Sequence, residues 1–111
     1  MQVSFQTINR TLIARIEGEL DHHTSVEIRE KIDREINKNQ IKNLIFDFEK
    51  LNFMDSSGIG VIIGRYKYIQ KLNGKVYIAN LVPQVERVIT ISGLHKIVPV
   101  FNNVQDALKE I

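Results

Sequence analysis

Two short polar segments contain the residues of this sequence that are best suited to chemistry. One is Asp55-Ser56-Ser57-Gly58, which follows an apolar run with the two-residue period of a strand and precedes one with the period of a helix. Ser and Asp are favoured at helix N-termini, where the first backbone N–H groups lack internal partners. The pattern therefore predicts a strand-to-helix corner that presents a hydroxyl held in a fixed position.

The second segment, Asp21-His22-His23-Thr24, raises the alternatives of an enzyme or a metal site. A nucleophilic serine needs a neighbouring base and an oxyanion site, and either histidine could in principle be that base. However, Asp-Ser-Ser-Gly is not the Gly-x-Ser-x-Gly nucleophile elbow, and a chain of 111 residues leaves little room for a substrate pocket. No third metal ligand occurs at a suitable spacing. We therefore predict no enzymatic activity, no metal and no cofactor.

Composition limits the remaining classes of function. The 15 basic and 13 acidic residues are intermixed, so the net charge of +2 does not indicate a nucleic-acid-binding stripe. Apolar runs are far shorter than the roughly 20 residues needed to span a bilayer. The first residues do not resemble a signal peptide, and the chain contains no cysteine. We expect one domain over residues 1–111, located in the cytoplasm, without direct nucleic-acid or membrane binding.

The elements that must position the two polar segments follow from hydrophobic periodicity and turn residues. An opening hairpin precedes alternating helices and strands, which predicts an α/β domain with a mixed central sheet and about four helices. The strands are predicted at 3–6, 12–16, 43–49, 76–79 and 97–101, and the helices begin near Ser25, Ser57, Pro83 and Asn103. Strand 43–49 is expected mid-sheet, and Pro99 assigns strand 97–101 to an edge.

Three local features complete these expectations. Residues 18–23 are interpreted as a polar connection, and Thr24 with Glu27 matches a capping box at the start of the first helix. Gly58, Gly60 and Gly64 lower helix propensity, so we expect close backbone packing to compensate. Gly60 and Gly64 would then either bring the helix close to the sheet or leave a shallow groove for a partner. They do not form a phosphate loop, which needs a lysine and a different glycine spacing, so nucleotide binding by the chain itself remains only a weak alternative.

The two polar segments together resemble a known family, the anti-sigma factor antagonists. The resemblance covers essentially the whole chain and is carried by the segments at 18–24, 53–67 and 92–97. It implies a STAS-type domain. Within the family, the similarity is strongest to members that act in sporulation, and a partner-switching protein of another pathway, such as general stress control, is the alternative.

The resemblance also implies a mechanism. In the family, an anti-sigma factor that is also a serine kinase, and that itself binds ATP or ADP, phosphorylates the first serine of the corner, and a serine phosphatase resets it. That serine is Ser56 here, whereas the physical pattern alone does not choose between Ser56 and Ser57. The implied partner-binding residues are Asp21, His22, His23, Thr24, Asp55, Ser56, Ser57, Gly58, Ile59 and Gly60.

Overall fold

A five-stranded sheet forms the centre of the molecule, with helices on both faces. The structure is a computed structural model that describes residues 2–111. The described strands are β1 (Val3–Ile8), β2 (Thr11–Ile16), β3 (Gly18–Leu20), β4 (Asn43–Asp47), β5 (Leu51–Met54), β6 (Val76–Ala79) and β7 (Val100–Phe101). The α-helices are α1 (Ser25–Lys38), α2 (Ser56–Lys71), α3 (Pro83–Ser92) and α4 (Val104–Lys109), and a 3₁₀ helix spans Leu94–Lys96.

The order of strands in the large sheet is β1-β2-β4-β6-β7. The β1–β2 hairpin is antiparallel and the other pairs are parallel, so the predicted mixed sheet is confirmed. Strand β4 lies in the middle and all five of its residues are buried, as its nearly continuous apolar sequence predicts. Strand β7 lies at the edge, as Pro99 indicates, but it is shorter than the predicted strand.

Two groups of buried side chains lie on opposite faces of this sheet. Helix α1 contributes Ile28, Ile32 and Ile36 to the larger group, at the predicted spacing of one helical turn. Helices α2 and α3 pack against the same group, through residues that include Ile62 and Ile89. The smaller group, which α4 covers, lies on the other face. The sheet thus supports α2 along its length and fixes the helix whose first residue is Ser56.

A second, two-stranded sheet is absent from the sequence-based prediction. Residues 18–20, which we expected to lie within a connection, form β3 and pair in parallel with β5. Each strand has only three or four residues, and few of them are buried, so neither produces a clear periodic pattern. This small sheet matters for function because both polar segments follow it directly.

Candidate functional site

The β3–β5 pair brings the two polar segments together. Leu20 is paired with Met54, and each of these residues is followed by an aspartate, Asp21 and Asp55. The backbone N–H of Asp55 also donates to the carbonyl oxygen of Leu20 at 3.4 Å. Residues that are 34 positions apart in the sequence therefore form one continuous surface.

Asp55 holds this surface in place through both of its carboxylate oxygens. It is the N-cap of α2, and its Oδ1 accepts a hydrogen bond of 2.8 Å from the backbone N–H of Ser57. Its Oδ2 accepts a longer bond of 3.3 Å from the backbone N–H of His22. One side chain thus satisfies an N–H group at the start of the helix and connects the corner to the other loop.

The two serines differ in their exposure. Ser56 is the first residue of α2 and is exposed, whereas Ser57 is half-buried. Neither hydroxyl has a hydrogen-bond partner among residues 2–111. A negative charge at this end of a helix is favoured by the helix dipole, typically by about 0.3–1 kcal/mol. An added phosphoryl group on Ser56 would therefore extend into solvent from a helix start that tolerates its charge.

Thr24 stabilises the loop and does not act as the predicted capping box. Its hydroxyl accepts a hydrogen bond from the backbone N–H of Asp21 at 3.0 Å and donates one to the carbonyl oxygen of Glu19 at 2.9 Å. The Thr24 side chain consequently makes no hydrogen bond to the start of α1, and the prediction of a capping box is wrong. The hydroxyl is turned back toward β3, where it closes the Asp21–Thr24 turn.

The Asp21 carboxylate is stabilised in its charged form. Its Oδ1 accepts hydrogen bonds from the backbone N–H groups of His23, at 2.9 Å, and Thr24, at 3.1 Å. Desolvation raises the pKa of Asp21, but the bonds from Thr24 and His23 and the charge of His23 together outweigh it. The pKa therefore lies below its ordinary value of 3.8. A fixed negative charge accordingly lies beside the corner near neutral pH.

The glycines of α2 have different surroundings. A Cβ atom at Gly58 would lie 2.6 Å from Met54 Cγ and 2.9 Å from the carbonyl oxygen of Leu20, so Gly58 permits close contact between α2 and the small sheet. At Gly60 and Gly64, a Cβ would meet no other part of residues 2–111 within 4 Å, apart from α2's own backbone and the adjacent residues. The expectation of close backbone packing is correct for Gly58, whereas Gly60 and Gly64 line a groove, which was the alternative predicted for them. Ile59, between Gly58 and Gly60, is half-buried and packs against the core.

The two histidines are exposed and do not contact the serine hydroxyls through hydrogen bonds. Their rings pack edge to face with centroids 5.6 Å apart. Within the part of the chain that the structure describes, no three His, Cys, Asp or Glu side chains are grouped so that they could hold a metal ion. Nor does any helix among residues 2–111 have the length and apolar character needed to cross a bilayer.

Several residues near the corner were not singled out from the sequence. Val26 and Phe53 are 53% and 48% exposed, and Arg29 of α1 and Arg65 of α2 line a groove between the two helices that Ser57 also lines. The packing of α1 against α2 brings these arginines together, and no short motif indicates it. Phe53 falls on the outer side of a strand too short to recognise.

Known proteins resemble this chain over most of its length. The family model of the STAS domain matches residues 2–107. An anti-sigma F factor antagonist from Paenibacillus polymyxa is 40% identical over 111 residues, which cover all of this chain and 95% of that protein. An anti-sigma-B factor antagonist from Bacillus subtilis is 31% identical over 85 residues, or 77% of this chain and 76% of that protein.

Among solved structures, the unphosphorylated form of the anti-sigma factor antagonist SpoIIAA aligns with a TM-score of 0.83 at 33% identity, over 97% of this chain and 94% of the other. The phosphorylated form of the Bacillus protein SpoIIAA aligns with a TM-score of 0.73 at 32% identity, over 97% of each chain. The chain therefore belongs to the STAS-domain family of anti-sigma factor antagonists. These relatives are regulatory antagonists rather than enzymes, which confirms the prediction that the chain is not an enzyme.

Proposed function

We propose that the chain binds an anti-sigma factor that is also a serine kinase, and that phosphorylation of Ser56 ends this binding. In this proposal, the unphosphorylated form occupies the anti-sigma factor and frees a sigma factor for transcription in sporulation. The binding surface consists of the Asp21–Thr24 turn and the corner from Asp55 to Gly60. Because the proposed partner controls transcription, we place this function in the cytoplasm.

The observation that carries the proposal is the exposed Ser56 hydroxyl at the start of a firmly held helix. Its backbone is fixed by the Asp55 cap on one side and by the β3–β5 pair on the other. Ser57 is a poorer substrate for a kinase because it is half-buried. The similarity to SpoIIAA, which has been solved in unphosphorylated and phosphorylated forms, supports the same kind of modification here.

Phosphorylation is better suited to changing binding than to changing the fold. A phosphoryl group adds about 1.5 to 2 negative charges, and the carboxylates of Asp21 and Asp55 already lie at this surface. Repulsion or incomplete desolvation at an interface can cost several kcal/mol, equivalent to about two or more decades of affinity. The same charge at an exposed helix start changes fold stability by only about 1 kcal/mol.

A serine phosphatase would return the protein to its binding form, and the nucleotide needed for phosphorylation would be bound by the kinase. A second candidate pathway is general stress control, since the Bacillus subtilis relative is an anti-sigma-B factor antagonist. Affinity capture from the native cell, followed by identification of the bound anti-sigma factor, distinguishes the two pathways.

The phosphorylation site can be tested with the purified chain, its cognate kinase and ATP. Mass spectrometry of peptides should locate the phosphate on Ser56, and Ser56→Ala should prevent labelling. Ser57→Ala is the matched control, because it removes the neighbouring hydroxyl and should still be labelled. Phosphate on Ser57, or full labelling of Ser56→Ala, would contradict the assignment.

A further inference from the structure

A groove of about 400 Å³ lies between α1 and α2 and begins at the corner. Its lining includes Val26 and Arg29 of α1 and Ser57, Gly60, Gly64 and Arg65 of α2. Ser57 and Gly60 also belong to the proposed binding surface. The groove is thus a direct continuation of that surface along the first three turns of α2.

Two glycines keep this groove open at a cost to the helix. Glycine within a helix is less stable than alanine, yet neither Gly60 nor Gly64 is required by packing within the molecule. Apart from the backbone of α2 itself and the adjacent residues, a Cβ at either position would have no heavy atom of residues 2–111 within 4 Å. Because both glycines line the groove, the space that a side chain would occupy remains available to another molecule.

The charged side chains that line the groove are both cationic. Arg29 is exposed and has no ion-pair partner among the described residues. Arg65 has only 11% of its side chain exposed, and its Nε lies 3.0 Å from Oδ1 of Asp33. Arg65 Nε and Nη1, together with Oδ1 of Asp33, are shielded from solvent and make no well-aligned hydrogen bond among residues 2–111. Buried guanidinium N–H groups are normally paired, so the ion pair with Asp33 leaves Arg65 short of acceptors, and a carboxylate in the groove would add negative charge beside it.

The pKa of Arg65 is consistent with the shortage of hydrogen-bond acceptors around its guanidinium group. Burial lowers the pKa of Arg65, the nearby Asp33 opposes this effect, and repulsion by Arg29 adds to it. The Arg65 guanidinium therefore has one carboxylate, that of Asp33, and one like charge, that of Arg29, in its surroundings. A second carboxylate, placed in the groove, would offset the repulsion between Arg29 and Arg65.

We propose that the α1–α2 groove binds a segment of the anti-sigma factor that inserts an acidic side chain between Arg29 and Arg65. This inference rests on the proposed function and adds to it the chemistry of the partner. Gly60 and Gly64 let the backbone of that segment lie close to α2. Val26, which is 53% exposed, provides an apolar contact at the edge of the groove.

The steric part is tested with Gly64→Ala in calorimetric titration against the purified cognate anti-sigma factor. Alanine should raise the thermal midpoint because it favours the helix, and it should weaken binding about tenfold or more because its methyl group occupies the groove. Lys67→Ala, an exposed change on the same helix outside the groove, is the matched control and should keep wild-type affinity.

The electrostatic part is tested with Arg29→Gln and Arg29→Glu. Loss of the cation should weaken binding about tenfold, and reversal of its charge about a hundredfold, because the glutamate would repel the partner's carboxylate. Arg34→Gln removes an exposed arginine of α1 outside the groove and should change the affinity by less than about threefold. Equal effects of Arg29→Gln and Arg29→Glu would show that the occupant is not acidic.

Different experimental results would contradict acidic binding in the α1–α2 groove and the proposed function. If Ser56→Asp abolishes binding while Gly64→Ala and Arg29→Gln bind like the wild type, the inference is overturned and the proposed function stands. If Gly64→Ala instead alters only self-association of the chain, the groove belongs to a second copy and the inference is again overturned. A wild-type chain that does not bind its anti-sigma factor would contradict both.

Discussion

The side chain of Asp55 connects the two halves of the proposed binding surface. Replacing it with alanine removes the acceptor for the N–H groups of Ser57 and His22. We expect Asp55→Ala to lower the free energy of unfolding by about 1–2 kcal/mol, measured by urea denaturation. Asparagine keeps one oxygen for the Ser57 N–H, but its amide nitrogen cannot accept from the His22 N–H, so Asp55→Asn should lose less stability than Asp55→Ala without matching the wild type. Equal losses in the two variants would contradict a stabilising cap bond between Asp55 and the Ser57 N–H.

Asp21 makes a prediction about pH at the same surface. Because its pKa in the folded protein lies below the ordinary value, its charged form stabilises the folded state above the unfolded pKa. This contribution is lost as the pH falls through the folded pKa. A carbon-detected NMR titration of the Asp21 carboxyl group should give a midpoint below 3.8. A midpoint at or above that value would contradict the hydrogen bonding of the Asp21–Thr24 turn.

The choice between Ser56 and Ser57 shows what could be predicted for single residues. Capping preferences identified Asp55 and the two serines as a helix start, and this prediction is confirmed. The exposure of Ser56 and of Ser57 depends on how α2 packs on the sheets, and capping preferences carry no information about that packing. The same limit applied to Thr24, where the motif was present but its hydroxyl bonds to the carbonyl of Glu19 instead.

Helix α2 allows a matched test of how its glycines differ. Gly58→Ala would place a methyl group against Met54 and Leu20, and we expect it to destabilise the fold by about 1–3 kcal/mol in spite of the better helix propensity. Gly64→Ala meets no such contact and should stabilise the fold by up to about 1 kcal/mol. Both values come from chemical denaturation, and changes of the same sign would refute the packing described for Gly58.

The longer elements were predictable because their patterns are unambiguous. The isoleucines of α1 recur once per turn and bury one face of the helix, whereas the apolar run of β4 buries both faces of the strand. Both patterns are visible in the sequence. Strands β3 and β5 are absent from the sequence-based prediction because neither has a periodic pattern of buried residues. They are defined by the hydrogen-bonded pairing between them. Since this pair aligns Asp21 with Asp55, the arrangement of the candidate site could not be derived from local patterns alone.

For the whole molecule, the proposal requires that charge at Ser56 leave the fold intact. The hydroxyl is exposed and makes no hydrogen bond within residues 2–111, so Ser56→Asp removes no contact. The aspartate lies at the favourable end of the α2 dipole, although Asp55 is close. The thermal midpoint of Ser56→Asp should therefore lie within about 6 °C of the wild type. Scanning calorimetry checks this, and a loss of cooperative unfolding would show that the charge acts through the fold.

The most direct test of the switch compares the affinities of two forms of the chain for the same anti-sigma factor. The wild-type chain is phosphorylated to completion on Ser56, and each form is titrated into the anti-sigma factor by calorimetry. The phosphorylated form should bind about a hundredfold more weakly or not at all, with its thermal midpoint almost unchanged. Equal affinity of the two forms would contradict phosphorylation of Ser56 as the event that ends binding.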